Sequence, residues 1–282
     1  MKILILGSTG MLGSSLYRNL KLYGHEVYGI QRSVSNDNNI YTIENANNFH
    51  HLEGIIKSLE APVVINCIGV IKQKDASKSI LSSLPLNSIL PHQLAELADV
   101  LNFKLIHFST DCVFDGLKGN YIESDIPDSN DVYGLSKRLG EVSYSQNVLT
   151  IRTSIIGHGV KPNSSLVDWF LAQDRNVEGY KNAIFSGIPC SEFAYILDKY
   201  ILETQISGLY HISANAISKF DLLTIIKEVY NKDIAIIPNT EFKMDRSLNC
   251  ESFKSKTNFI SKDWFELIVD MKRKDYTENK NV

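Results

Sequence analysis

The chain has 282 residues, enough to bury a sizeable core as one large α/β domain or as a nucleotide-binding domain with a smaller companion. Its 44% hydrophobic and 22% charged residues are those of an ordinary soluble globular protein, and a formal charge of -3 gives no pull toward nucleic acid or anionic lipid. Cys67, Cys112, Cys190 and Cys250 are scattered without a C-x-x-C pair, which argues against a zinc site or a disulfide framework and for a reducing compartment.

The apolar run at the amino terminus is too short for a signal segment or a membrane span, and no later segment is long enough. The expectation is a cytoplasmic protein with no membrane partner. Asn163-Ser164-Ser165 matches a glycosylation acceptor, a pattern that matters only in a secreted chain.

In chain order, residues 3–6 are a β-branched and leucine run ending in glycine, which predicts a buried parallel strand and a tight turn. Residues 11–22 read as helix and 25–31 as a second strand, a βαβ unit of about thirty residues. The asparagine-rich piece 35–48 reads as loop around a weak strand at 40–43. Residues 62–70 and 104–109 are further buried strands, separated by the helical pattern of 91–100. Residues 131–144 fit another helix and 149–153 a sixth strand. This alternation predicts an α/β fold, a doubly wound parallel sheet of Rossmann type with helices on both faces. After Ile156 come a Gly/Pro/Asn/Ser loop, an amphipathic helix at 165–173 and no new run of strict alternation. Residues 208–213 resemble one more strand and 219–230 a helix. The expected organisation is a dinucleotide-binding domain over 1–155, rejoined by a strand near 208–213, and a mainly substrate-binding region over 156–282 with a helical tail.

Gly7-Ser8-Thr9-Gly10-Met11-Leu12-Gly13 places three glycines between a strand and a helix. Glycines there permit a tight turn and let backbone approach a pyrophosphate, while the helix N-terminus offers free N–H groups. Gly7, Thr9, Gly10, Met11, Leu12 and Gly13 are therefore assigned to a dinucleotide. At the end of the second strand, Gly29-Ile30-Gln31-Arg32-Ser33 has no carboxylate for a ribose hydroxyl. A guanidinium at Arg32 beside the Ser33 hydroxyl suits a 2'-phosphate, so NADPH is favoured over NADH. The plainer reading of Arg32 is a solvated loop arginine.

Tyr133-Gly134-Leu135-Ser136-Lys137 sets a phenol and an ammonium on one face of a helix, where the lysine should lower the tyrosine pKa from about 10. Alone, this spacing is also that of a solvated helix face. Ser109-Thr110-Asp111 closes the fifth strand at its carboxyl end, the edge where open α/β sheets bind ligands, and a hydroxyl there can polarise a carbonyl. The glycine turn, Asn66-Cys67-Ile68-Gly69 after the fourth strand, the strand-five hydroxyl and Tyr-x-x-x-Lys together resemble the extended short-chain dehydrogenases/reductases. More narrowly, residues 109–116, Gly119-Asn120-Tyr121-Ile122-Glu123, Tyr133 to Lys137 with Gly140-Glu141, and Arg152-Thr153-Ser154 look like the dTDP-4-dehydrorhamnose reductase family, over Met1 to about Gly157.

The resemblance implies a catalytic set of Thr110, Tyr133 and Lys137. Thr110 would hold the substrate carbonyl oxygen, Tyr133 would protonate the forming alkoxide, and Lys137 would bind the nicotinamide ribose and depress the Tyr133 pKa. Asn66, Cys67, Ile68 and Gly69 would run beside the cofactor, and Asn87 matches the family's asparagine before the fourth helix. Asp111 and Ser154 would meet the substrate, and Arg246, in Asp245-Arg246-Ser247-Leu248, sits where relatives bring a cation toward the nucleotide diphosphate; a surface arginine accounts for it equally well. The activity implied is NADPH-dependent reduction of the 4-keto group of a nucleotide-linked 6-deoxyhexose in bacterial polysaccharide precursor synthesis.

Two departures bear on the sugar. Rhamnose-precursor reductases commonly carry an aromatic after Arg-Thr-Ser, where this chain has Ile155, and residues 179–187 look more like relatives that make N-acetylated 6-deoxy sugars. A UDP-linked N-acetylated ketone is therefore favoured over dTDP-4-dehydrorhamnose. The seven histidines show no metal-ligand spacing, so no metal is expected. Cys112 has no histidine spaced to activate it. The alternatives are a non-catalytic NADP-binding subunit, resembling the β subunit of methionine adenosyltransferase, and a nucleotide-sugar epimerase or dehydratase. A homodimer is left open.

Overall fold

The computed structural model describes residues 1–72, 75–160 and 164–276, so Asn163 of the acceptor tripeptide lies outside the described residues. The strands in chain order are β1 (Lys2–Leu6), β2 (Glu26–Gln31), β3 (Ile40–Thr42), β4 (Val63–Asn66), β5 (Lys104–Phe108), β6 (Val148–Arg152), β7 (Ile155–Ile156), β8 (Val177–Phe185), β9 (Ile188–Pro189), β10 (Gly208–His211), β11 (Ile217–Ser218) and β12 (Ile236–Asp245). A seven-stranded sheet takes the order β10-β6-β5-β4-β1-β2-β3, and every pairing in it is parallel. The chain order reverses between β1 and β4, which opens a crevice at their carboxyl ends.

Period-two alternation decides which layer each strand residue serves. Ile3 and Ile5 of β1 enter one hydrophobic cluster and Leu4 and Leu6 the other, all four with no exposed surface. The first cluster packs against α1 (Met11–Leu22). The second packs against α2 (Phe49–Leu59) and, beyond α3 (Ile80–Leu84), α4 (Leu90–Leu101). After α5 (Val132–Leu139) and α6 (Leu166–Leu171), the first cluster is completed by α7 (Cys190–Ile196), α8 (Lys219–Tyr230), Phe253 of α9 (Glu251–Thr257) and α10 (Trp264–Met271). One core thus runs from Ile3 to Met271. Among the described residues no helix is long and apolar enough to cross a membrane.

Three expectations need correction. The helix from 131 stops at Leu139, not Tyr144; its cap is Gly140, which lies so close to the Asn87 carbonyl that any side chain there would collide with it. The fourth strand ends at Asn66, and residues 67–70 turn away as loop. Most consequentially, the region after Ile156 does contain long strands: β8 pairs in parallel with β12 and antiparallel with β11 in a second sheet. The alternation of β8 breaks at Tyr180-Lys181, both exposed, and the β8–β12 register shifts between Asn239 and Lys243, so no strict period marks either strand.

Candidate functional site

The glycine turn is built from close backbone approaches. Gly7 adopts φ 83°, and its N–H and that of Ser8 both donate to the Ile30 carbonyl at 2.9 and 3.1 Å, tying the turn to β2. A Cβ on Gly7 would stand 3.2 Å from the Cys67 backbone, and one on Gly13 would run into the Gly7 carbonyl oxygen. The helix α1 therefore begins pressed against β1. Its cap, Gly10, makes no side-chain capping bond and its first turn holds no acid, whereas Asp131, Ser165, Ser218 and Asp263 cap α5, α6, α8 and α10. Uncapped N–H groups, a positive helix end and an approach without Cβ atoms fit a pyrophosphate. Thr9 and Gly10 are exposed, Met11 is half-buried and Leu12 is in the core, so Leu12 can offer a ligand only its backbone.

At the end of β2, Arg32 and Ser33 are both exposed, and Arg32 makes no hydrogen bond or ion pair among the described residues. The Gln31 amide holds the Ser33 carbonyl at 2.9 Å. Further along, Asp37 accepts from the Tyr17 hydroxyl at 2.6 Å and from Lys21 at 3.2 Å, anchoring the loop to α1 and leaving the Arg32 guanidinium unclaimed.

Thr110 follows β5, accepts the Cys112 N–H at 3.2 Å and donates to the Asp111 carboxylate at 3.1 Å. Asp131 caps α5 by accepting the Gly134 N–H at 2.8 Å, which puts Tyr133 in the first turn. A Cβ on Gly134 would strike the Cys112 carbonyl and stand 2.7 Å from that of Ser129, so α5 abuts the loop after β5 and Tyr133 reaches Thr110. Burial pushes the Tyr133 phenol well above its ordinary pKa, and Cys112 and Asp111 add to this while a hydrogen bond with Thr110 opposes it. The expected lowering by Lys137 is absent. The buried Lys137 ammonium instead donates to the Phe108 carbonyl at 2.6 Å and is brought down to about 8 by burial, with Glu141 and Cys67 opposing.

Asn66 is buried and accepts the Ile68 N–H at 3.0 Å, shaping residues 67–69 against Gly7. Asn87 is fully buried: its side chain accepts from the Val70 N–H at 2.8 Å and donates to the Ser136 hydroxyl at 3.0 Å. It clamps the strand-four loop to α5. Glu141 accepts from Ser109 at 2.7 Å and from Arg152 at 2.7 and 2.8 Å, so the Gly-Glu and Arg-Thr-Ser motifs meet in a buried ion pair beneath Thr110.

Of the residues expected to meet the substrate, Asp111 is buried; burial raises its carboxyl pKa, and Arg246, Thr110, Cys112 and Lys219 oppose the rise. Arg246 donates to the Phe114 carbonyl at 2.9 Å and the Asp115 carbonyl at 3.3 Å, which brings residues 246 and 111 into one cluster. Ser154 is half-buried and its carbonyl takes the Ile188 N–H at 2.9 Å, linking it to the β7–β9 pair. Sequence reasoning missed Lys219 and a cavity of about 530 Å³ lined by Leu166, Trp169, Asn176, Tyr180, Lys219 and Leu223. The available signal was a lysine at the first position of a helix, where the dipole disfavours positive charge.

Residues 1–178 match the family described as RmlD substrate binding domain. A dTDP-4-dehydrorhamnose reductase of Aggregatibacter actinomycetemcomitans is 30% identical over 240 residues, 80% of this chain and 78% of that protein. Methionine adenosyltransferase 2 subunit beta of Bos taurus is 25% identical over 248 residues, 82% of this chain and 72% of that protein. The crystal structure of dTDP-4-dehydrorhamnose reductase from Bacillus anthracis in complex with NADP superposes with a TM-score of 0.81 at 19% identity, covering 96% of each chain. A glycine turn, a strand-five hydroxyl and a Tyr-x-x-x-Lys helix converge here on one crevice of a Rossmann sheet, and the chain belongs to the RmlD family of extended short-chain dehydrogenases/reductases.

Proposed function

We propose that the protein is an NADPH-dependent reductase acting on the 4-keto group of a nucleotide-activated 6-deoxyhexose, in the synthesis of bacterial polysaccharide precursors. The observation that carries this is the meeting of Thr110, Tyr133 and Lys137 at the carboxyl end of β5, across the crevice from the Gly7–Gly13 turn. The turn and the start of α1 take the pyrophosphate, Arg32 and Ser33 the 2'-phosphate, and Lys137 the nicotinamide ribose. When bound, NADPH supplies the hydride.

Thr110 holds the substrate carbonyl oxygen and Tyr133 delivers a proton to it as negative charge develops. Burial keeps the phenol protonated, the form a general acid needs for reduction. Asp111, Ser154 and Arg246 face the substrate. Ile155 in place of a sugar-packing aromatic, and the β8 segment, favour a UDP-linked N-acetylated ketone over dTDP-4-dehydrorhamnose.

The experiment is NADPH oxidation against a panel of UDP- and dTDP-linked 4-keto sugars. Turnover of a UDP-linked N-acetylated ketone with the higher kcat/KM supports the full reading. A kcat/KM for dTDP-4-dehydrorhamnose at least as high removes the narrower assignment. If the cofactor binds and no ketone is reduced, the non-catalytic reading, supported by the likeness to methionine adenosyltransferase 2 subunit beta, replaces it.

A further inference from the structure

Lys219 is an anomaly of placement. It is the first residue of α8, after the Ser218 cap, so its charge sits at the positive end of the helix dipole. It is half-buried, its ammonium lies 3.7 Å from the centroid of the Phe185 ring, and it has no hydrogen bond or ion pair among the described residues. The groups that act on it electrostatically are Asp111 and Cys112, both beside Thr110. Asp111 is already engaged by Thr110, and the other cation of the cluster, Arg246, is taken up by two backbone carbonyls. Of the cluster's two cations, Lys219 is therefore the one without a hydrogen bond among the described residues, and it sits in an unfavourable field. Burial pushes the Lys219 pKa down to about 8, with Asp111 and Cys112 opposing.

The position of that charge connects two parts of the molecule. Lys219 feels the catalytic loop on one side and lines the 530 Å³ cavity on the other, where Trp169 and Tyr180 offer partly exposed rings and Gln173 and Asn176 offer amides. Aromatic faces and amides suit a heterocyclic base. A lysine between a base-sized cavity and a carbonyl-polarising threonine stands where the linker of a nucleotide sugar must pass. That linker is a diphosphate, and lysine binds phosphate as a point charge.

We propose that Lys219 binds the substrate's diphosphate, with the nucleoside in the cavity between α6, β8 and α8, so that this one side chain sets the distance from the base to the reacting carbon. The assignment rests on the nucleotide-sugar reading given above and adds to it the residue that recognises the anionic linker. Arg246 donates to the Phe114 and Asp115 carbonyls and so supports the loop.

The test is calorimetric titration of the full-length, NADP+-loaded protein with UDP, dTDP and uridine. Lys219→Met, whose thioether can occupy the space over the Phe185 ring, and Lys219→Gln should each weaken nucleoside diphosphate binding about 10- to 100-fold, the worth of a hydrogen bond to a charged group. Uridine and NADP+ binding should be unchanged, and Lys219→Arg should retain diphosphate binding within a few-fold. Two uncharged variants guard against one that fails to fold. Unchanged diphosphate affinity in either, or an equal loss for uridine, overturns the role of Lys219 and leaves the reductase reading standing. Wild-type protein that binds neither UDP nor dTDP overturns both.

Discussion

The large sheet and the small one are made of different material. In β1, β4, β5 and β6 nearly every residue is buried, and Gly7, Cys67, Ser109 and Thr153, which follow them, are each tied by a backbone hydrogen bond to a neighbouring segment. β12 has no buried residue, and β8 only alternates loosely between core and solvent. The proposed chemistry needs reacting groups held within a fraction of an ångström, and the loop after β5 and the abutting α5 hold Thr110, Tyr133 and Lys137 in place. Recognition of a particular sugar can be altered on the open sheet without disturbing the core, because surface substitutions cost little stability. Family members can thus share the first region and differ in the second.

If that division is right, changes on the large sheet lower turnover, and changes at the cavity raise KM. Tyr133→Phe should lower kcat by about two to four powers of ten, the usual worth of a general acid, with NADPH binding retained. Stopped-flow NADPH oxidation measures the first and fluorescence titration the second. Trp169→Ala should instead raise KM for the nucleotide sugar with kcat little changed. A Tyr133→Phe enzyme with near-native kcat would break the comparison at its strongest point.

What was legible in the sequence follows the same division. The glycine turn and Tyr133-x-x-x-Lys137 are local patterns, and buried parallel strands announce themselves as apolar runs, so the doubly wound parallel sheet is legible in the alternation of strand and helix. Three properties of the site do not follow, because they depend on packing between distant segments. The phenol of Tyr133 responds more to burial than to Lys137, whose ammonium turns to the Phe108 carbonyl. The cap of α5, Gly140, has to be a glycine because Asn87, more than fifty residues earlier, lies against it. Lys219 reads as an ordinary surface lysine until the fold sets it beside Asp111. β8 and β12 escaped notice for a local reason: a strand exposed on one face with a broken register has neither an apolar run nor a clean period.

Stability should divide in the same way. The Arg152–Glu141 pair is buried on both sides, 5% and 8% exposed, and is tied to Ser109, the residue before Thr110. Glu141→Ala strands the guanidinium and should cost about 3–5 kcal/mol, read as a shift of the urea midpoint at constant slope. Lys243→Ala on the exposed β12 should change stability by no more than about 0.5 kcal/mol. Similar losses at both positions would mean that the small sheet is as integral to the fold as the large one.

Arg32 sharpens the comparison because it belongs to the large sheet by position and resembles the small one in exposure. It follows β2, the loop beyond it is anchored by Tyr17 and Asp37, and its guanidinium has no partner among the described residues. On the proposed reading, this free cation with Ser33 next to it meets a doubly charged 2'-phosphate, which it binds more strongly than a neutral 2'-hydroxyl. Arg32→Asp removes the charge-assisted contact and introduces repulsion, so NADPH binding should weaken about 10- to 100-fold while NADH binding changes little. Since Arg32 is exposed, thermal stability should stay within the range of surface substitutions. Titration of both cofactors against wild type and variant measures the difference. Equal weakening of NADH and NADPH would show that the residue shapes the β2 end generally and does not read the 2'-phosphate, and selection between cofactors would then have to come from elsewhere on the crevice.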